Sequence, residues 1–221
     1  MTYHVTIEPR TLHFKQPAGT SRGVYNIRQS WFITITSPEQ PDRKGVGECA
    51  PLPDLSCDAI PEYERILYSV CNMFGLTGKI NHDMLRPYPS ILFGLETALL
   101  SFESGSDVLF DTPFARGEEG IPINGLVWMG SYDEMLSRLE NKMKAGFRCV
   151  KLKIGAIDFD KELDLIRHIR SAFTKEQIEL RVDANGGFTP DNAMERLEQL
   201  ARFDIHSIEQ PIRQHQWADM S

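Results

Sequence analysis

The chain has no long apolar run, no lysine- or arginine-rich stretch and few cysteines, and each absence removes a class of function. Among its 221 residues no segment approaches the ~18 consecutive apolar residues that a bilayer span needs. The N-terminus, with Glu8 and Arg10, has no signal-peptide core, so a cytoplasmic protein is expected. Positive charge is in deficit: 24 Lys and Arg stand against 31 Asp and Glu, for a net charge of -7. That balance argues against nucleic acid and leaves a small molecule as the expected partner. Cys49, Cys57, Cys71 and Cys149 form no C-x-x-C pair and are read as reduced thiols rather than bridges or metal ligands. The 6 histidines lack ligand spacing, and His206, beside an apolar register, reads as structural. Nothing in the sequence fixes an oligomeric state.

What is present is the composition of a globular protein, 41% hydrophobic and 25% charged, long enough for one or two domains. Residues 3–14 are rich in β-branched and aromatic side chains, 16–26 are polar, and 27–36 are again strand-like. A proline-bearing turn over 37–44 leads to a third strand at 45–49, which makes a small antiparallel meander. Helical spacing follows over 59–74 and, more clearly, over 90–102, where Ile91, Leu92, Leu95, Ala98, Leu99 and Phe102 form one stripe behind Ser90 as N-cap. An α+β domain is expected over 1–115, closing in a glycine- and acid-rich linker at 104–120.

From residue 116 the pattern changes to strand–helix alternation. Residues 121–128 read as a strand, and Ser131 with Glu134 makes a capping box for a helix. Asp158 caps the next helix, with Phe159, Leu163, Ile166 and Ile169 inward. Thr189 with Pro190 at the first helical position starts a third. Between them lie Cys-Val-Lys-Leu-Lys-Ile-Gly at 149–155, Leu-Arg-Val-Asp-Ala-Asn at 180–185 and Ser-Ile-Glu-Gln-Pro at 207–211. Period-2 alternation puts Val150, Leu152 and Ile154 on one face and Lys151 and Lys153 on the other. It likewise separates Leu180, Val182 and Ala184 from Arg181, Asp183 and Asn185, and Ile208 from Ser207 and Glu209. Consecutive strand–helix–strand units imply a parallel sheet, and charged residues at the C-terminal strand ends of such a barrel mark an active site.

Lys151-Leu152-Lys153, Asp183-Ala184-Asn185 and Glu209-Gln210-Pro211, behind Gly47-Glu48-Cys49-Ala50-Pro51-Leu52-Pro53, resemble the enolase superfamily in its muconate-lactonizing subgroup. Gly186-Gly187-Phe188 and the wording from Ser207 to Ile212 resemble the o-succinylbenzoate synthases of menaquinone biosynthesis most. The resemblance runs the length of the chain and implies an α+β capping domain followed by an α/β barrel of modified TIM (β/α)7β type. Only the first half of that barrel, residues 116–221, is then expected here, because a closed barrel needs about eight strands. The third metal ligand and a second catalytic lysine of the family would fall on later strands.

The implied activity is that of a carbon–oxygen lyase, dehydrating a cyclohexadiene carboxylate to o-succinylbenzoate. A dipeptide epimerase or N-acylamino acid racemase is the alternative within the subgroup, and an inactive fragment or scaffold the alternative outside it. Removing a proton α to a carboxylate builds a dianion that a hard divalent cation stabilises, so the expected cofactor is Mg2+, or else Mn2+. The resemblance makes Asp183 and Glu209 the metal ligands, Lys153 the acid/base and Lys151 a supporting charge. A neighbouring ammonium and a divalent cation are expected to lower the pKa of Lys153. Arg22, in a 19–23 loop read as a cover over the substrate or else a plain hairpin loop, and Asn185, an orienting residue or else a turn former, are the substrate-side candidates. Trp128 and Met129 end the first barrel strand, where substrate contact and plain packing are equally open.

Overall fold

The structure, a computed structural model, describes every residue except Ser21, Arg22 and Met129, and only the backbone of Gly19 and Thr20. Arg22, the substrate-side candidate in the expected covering loop, and Met129 therefore lie outside the described residues. The chain forms two compact units, one of Met1–Ala18 and Val24–Ile121, the other containing Pro122–Ser221. No helix among the described residues is long and apolar enough to cross a membrane.

The first unit carries β1 (His4–Thr20), β2 (Gly23–Thr36) and β3 (Lys44–Cys49), side by side in that order. β2 and β3 run antiparallel with Trp31 opposite Cys49 and Thr36 opposite Lys44. The polar stretch over 16–26, expected to separate two strands, is itself largely strand. Ladder hydrogen bonds come from the backbone and so do not require the side chains to be apolar or buried; all of those from Glu8 to Pro17 are exposed. Three helices follow, α1 (Tyr63–Thr77), α2 (His82–Leu85) and α3 (Pro89–Ser104). α1 starts later than its apolar spacing suggests, because Pro61 disfavours helical backbone at Ile60. It runs on to Thr77, where Gly78 takes a left-handed conformation at φ 65°. α2 has no counterpart in the sequence reading.

Ser90 is not the N-cap of α3. Tyr88 holds that position with Pro89 at the first turn, and Ser90 instead gives both its N–H (2.8 Å) and its hydroxyl (2.6 Å) to Asp58 Oδ2. A carboxylate brought in by the chain fold thus satisfies the helix start. The core here joins Ile33 and Ile35 of β2 to Leu67 and Phe74 of α1 and to Ile91, Leu95, Ala98 and Phe102 of α3, all buried.

The second unit alternates β4 (Gly125–Val127), α4 (Tyr132–Lys144), β5 (Cys149–Lys153), α5 (Phe159–Ala172), β6 (Glu179–Asp183), α6 (Pro190–Ala201), β7 (Ser207–Glu209) and the single turn α7 (Trp217–Met220). Its strands make one parallel sheet in the order β4-β5-β6-β7. β4 is shorter than the 121–128 expected, since Pro122 offers no N–H to a ladder and Ile121 and Ile123 stay exposed. The expected caps form: Ser131 and Glu134 close a capping box, Asp158 accepts the N–H groups of Asp160 and Lys161, and Pro190 sits at the start of α6. Val150, Leu152, Ile154, Leu180, Val182 and Ala184 are buried against Leu139, Ile166, Ile169 and Leu200 of the helices. One sheet face is therefore filled, and the alternate residues point away from it.

Candidate active site

Parallel pairing puts Lys153 opposite Asp183 and Asp183 opposite Glu209, so the charged residues of three strands end in one row. Lys153 Nζ lies 2.5 Å from Asp183 Oδ2 and 2.9 Å from Asn185 Oδ1. Lys151 reaches the same Asp183 Oδ2 at 3.0 Å and also pairs with Glu209. The Asp183 side chain is wholly buried, the two lysines are 20% and 16% exposed, and Glu209, at 57%, forms the open side of the row. Asp183 Oδ1 accepts the N–H of Asn185 at 3.0 Å. Asn185 and Gln210, each just past a carboxylate-bearing strand, have left-handed backbone at φ 46° and 44°. Such conformations cost energy and gather at sites that need a fixed turn.

Charge explains the protonation. Burial pushes the Asp183 carboxyl up, but hydrogen bonds from Lys153, Lys151 and the Asn185 amide outweigh it and hold the group below the usual carboxylate range. Burial likewise pulls Lys151 down, yet Glu209 and Asp183 more than compensate and its ammonium stands above the ordinary lysine value. In this arrangement carboxylates, rather than a second ammonium, set the state of Lys151.

Several known proteins are similar to this chain. A family model described as enolase C-terminal domain-like matches residues 134–221. The o-succinylbenzoate synthase of Desulfotalea psychrophila is 39% identical over 95% of this chain, a match that spans 65% of that protein's length. The crystal structure of MenC from the same organism superposes with a TM-score of 0.77 at 33% identity, covering 100% of this chain and 67% of that one. The chain belongs to the enolase superfamily. Another solved structure, o-succinylbenzoate synthase from Thermosynechococcus elongatus with magnesium in its active site, shares the fold at a TM-score of 0.71 and 23% identity over 100% of this chain and 64% of that one.

The oxygen donors at these strand ends are of the kind that hard divalent cations take. Asp183 and Glu209 offer carboxylate oxygens on neighbouring strand ends, and the Lys151 ammonium already bridges them as a cation. Among the described residues no group of three or more His, Cys, Asp or Glu is arranged to hold a metal. Of the residues named from the sequence, Lys151, Lys153, Asp183, Asn185 and Glu209 come together; Trp128 is 39% exposed and its carbonyl accepts from Arg138. The sequence reading missed Glu162. It is buried on α5, and its Oε1 accepts the N–H groups of Gly155, Ala156 and Ile157 immediately after the lysine strand. Its signal was a carboxylate inside the apolar stripe of Phe159, Leu163, Ile166 and Ile169.

Proposed function

We propose that the protein catalyses metal-dependent removal of a proton α to a carboxylate, in the form of dehydration of a cyclohexadiene carboxylate to o-succinylbenzoate in the cytoplasmic synthesis of menaquinone. The observation that carries this reading is the row of Lys151, Lys153, Asp183 and Glu209 across three adjacent strand ends. The relative at 39% identity supports the substrate class. In this reading residues 1–115 are a capping domain and residues 116–221, with their parallel sheet, are part of a (β/α)7β barrel.

Asp183 and Glu209 are the ligands that would hold Mg2+ or Mn2+, and the bound cation supplies positive charge against the enediolate dianion. Lys153, as the neutral amine, takes the α proton, and as the resulting ammonium it returns that proton to the leaving hydroxyl, so that water departs. Lys151 contributes a fixed positive charge beside it. Asn185 holds the Lys153 side chain through its amide oxygen, and Arg22 is assigned to the substrate carboxylates.

The test is an assay of the full chain with the cyclohexadiene carboxylate and magnesium, following loss of the diene absorbance. Turnover that stops on chelation is expected. Epimerisation of an L-Ala-L-Glu-type dipeptide with no dehydration would move the assignment to the epimerase branch.

A further inference from the structure

Glu162 is a buried acid with an unusual distribution of bonds. It sits one turn inside α5 and is 1% exposed. Burying a carboxylate costs free energy unless hydrogen bonds replace water. All of its hydrogen bonds converge on one oxygen: Oε1 accepts from Gly155 at 2.7 Å, Ala156 at 3.2 Å and Ile157 at 3.3 Å. Oε2 is buried with no hydrogen-bond partner among the described residues. Three successive N–H groups aimed at one point make an anion-binding nest, and here the protein's own carboxylate fills it.

The three amides belong to the connection that leaves β5 two residues after Lys153. That connection is pressed against the one leaving β6. A Cβ on Gly155, whose φ is +86°, would lie 2.8 Å from Ala184 O, and a Cβ on Gly187 would lie 2.8 Å from the Cα and O of Gly155. The Ile154 N–H donates to Asp183 O at 2.9 Å. The two connections therefore meet backbone to backbone, and a shift at 155–157 is passed directly to Ala184 and Asp183.

We propose that Glu162 is a positioning residue for the lysine–carboxylate row. By pinning residues 155–157 it holds the end of β5 and, through Gly155, the end of β6, so that Lys153 and Asp183 keep their mutual geometry. Glu162 itself touches no reacting atom. The proposal rests on the reading that Lys153 moves the substrate proton.

The full chain and its E162A, E162D and E162Q variants test this, through kcat, KM and the primary deuterium isotope effect with substrate labelled at the carbon that loses its proton. Groups that orient a reacting residue are typically worth about 10- to 100-fold. E162A should lose about tenfold or more in kcat per folded molecule, with KM within about threefold and a larger isotope effect. A merely structural role lowers the folded fraction and leaves the isotope effect where it was. E162D keeps the charge but withdraws the oxygen by one methylene and should behave like E162A; E162Q keeps an acceptor in place and should recover most of kcat. Amide exchange at Gly155, Ala156 and Ile157 should accelerate in E162A and E162D and not in E162Q. Wild-type kcat in E162D, or a lowered kcat with an unchanged isotope effect, overturns the proposal. If E162A does not fold, equal kcat in E162D and E162Q overturns it. A wild-type chain inactive on this substrate overturns the functional reading instead, and amide exchange then decides the pinning by itself.

Discussion

Lys153 and Asp183 face each other across adjacent parallel strands, and the buried Asp183 Oδ2 that lies 2.5 Å from the Lys153 ammonium also serves Lys151 at 3.0 Å. One carboxylate oxygen thus holds two cations side by side. A buried carboxylate without partners would be uncompensated, and the hydrogen bonds it accepts from both lysines hold Asp183 below the usual carboxylate range.

If Lys153 is the acid/base of the full chain, Lys153→Ala should abolish turnover while magnesium affinity stays within a few-fold of wild type. Lys153→Arg should be nearly as damaging, since a guanidinium is not deprotonated at working pH and cannot act as a base. Steady-state rates and calorimetric magnesium titration read the two effects separately. More than about a tenth of wild-type turnover in either variant removes Lys153 from that role.

The depressed pKa of Asp183 makes a stability prediction. A group whose folded pKa lies below its ordinary value of about 3.9 contributes stability that is fully present above that value and is lost as pH falls through the folded pKa. Asp183→Asn should therefore cost on the order of 1–3 kcal/mol at pH 7, less than for a fully buried pair because both lysines retain some solvent. The gap to wild type should close as both are taken well below pH 4. Urea unfolding at neutral pH and at about pH 3 measures it, and a gap independent of pH means the carboxylate charge is not what stabilises the fold. Lys151, whose pKa is raised, works in the opposite direction: its contribution is complete below the ordinary lysine value of about 10.4 and fades as pH climbs through the raised one.

Magnesium must compete with lysine for the same oxygens. Asp183 and Glu209 are both engaged by ammoniums and no third carboxylate joins them among the described residues, so the 221-residue chain should bind magnesium weakly. Lys151→Met removes a competing cation and should tighten binding several-fold. Isothermal titration giving tight, stoichiometric uptake by the wild-type 221-residue chain contradicts this account.

Much of the site could be read directly from the sequence because its strands alternate strictly. Val150, Leu152 and Ile154 declare a covered face and so place Lys151 and Lys153 on the other, and the same holds for Asp183 between Val182 and Ala184. Which lysine meets which acid was not legible, since that depends on the ladder register between strands, a property of no single segment. Glu162 escaped because a carboxylate in an apolar helix stripe looks like a break in the pattern until the three amides it serves are seen. Asp58 escaped for another reason: it caps α3 from 32 residues away, beyond any local motif. The polar arms of β1 and β2 lacked the apolar alternation that reveals a strand.

The cysteines divide by burial. Cys49 and Cys71 are buried, and loss of solvent pushes both thiols up to about 12, which leaves almost no thiolate at neutral pH. Burial also raises Cys149, whereas Cys57 is exposed. A disulfide reagent at pH 8 should label Cys57 rapidly in the native chain and all 4 cysteines only after unfolding. Mass mapping that finds Cys49 or Cys71 labelled as fast as Cys57 would mean the first unit opens readily.

Arg170 supplies a prediction far from the charged row. From α5 its Nε donates to Phe203 O at 2.7 Å, Nη1 to Ile178 O at 2.9 Å and Nη2 to Asp204 O at 2.9 Å. Ile178 leads into β6, and Phe203 and Asp204 lie between α6 and β7, so one planar guanidinium ties the entry of β6 to the turn before β7 at the end of the sheet opposite Lys153 and Asp183. Burial lowers the Arg170 pKa, and of its carbonyl partners Ile178 is buried, Phe203 half-buried and Asp204 exposed. Arg170→Ala leaves three carbonyls without their donor and should destabilise the fold by about 2–3 kcal/mol. Arg170→Lys keeps the charge but cannot offer three coplanar donors, so it should lose more than half as much. Because these bonds shape the far end of the sheet, turnover per folded molecule should be unchanged in both. Urea midpoints for the two variants decide between the fork and the charge: a lysine variant as stable as wild type would show that charge alone holds the turn.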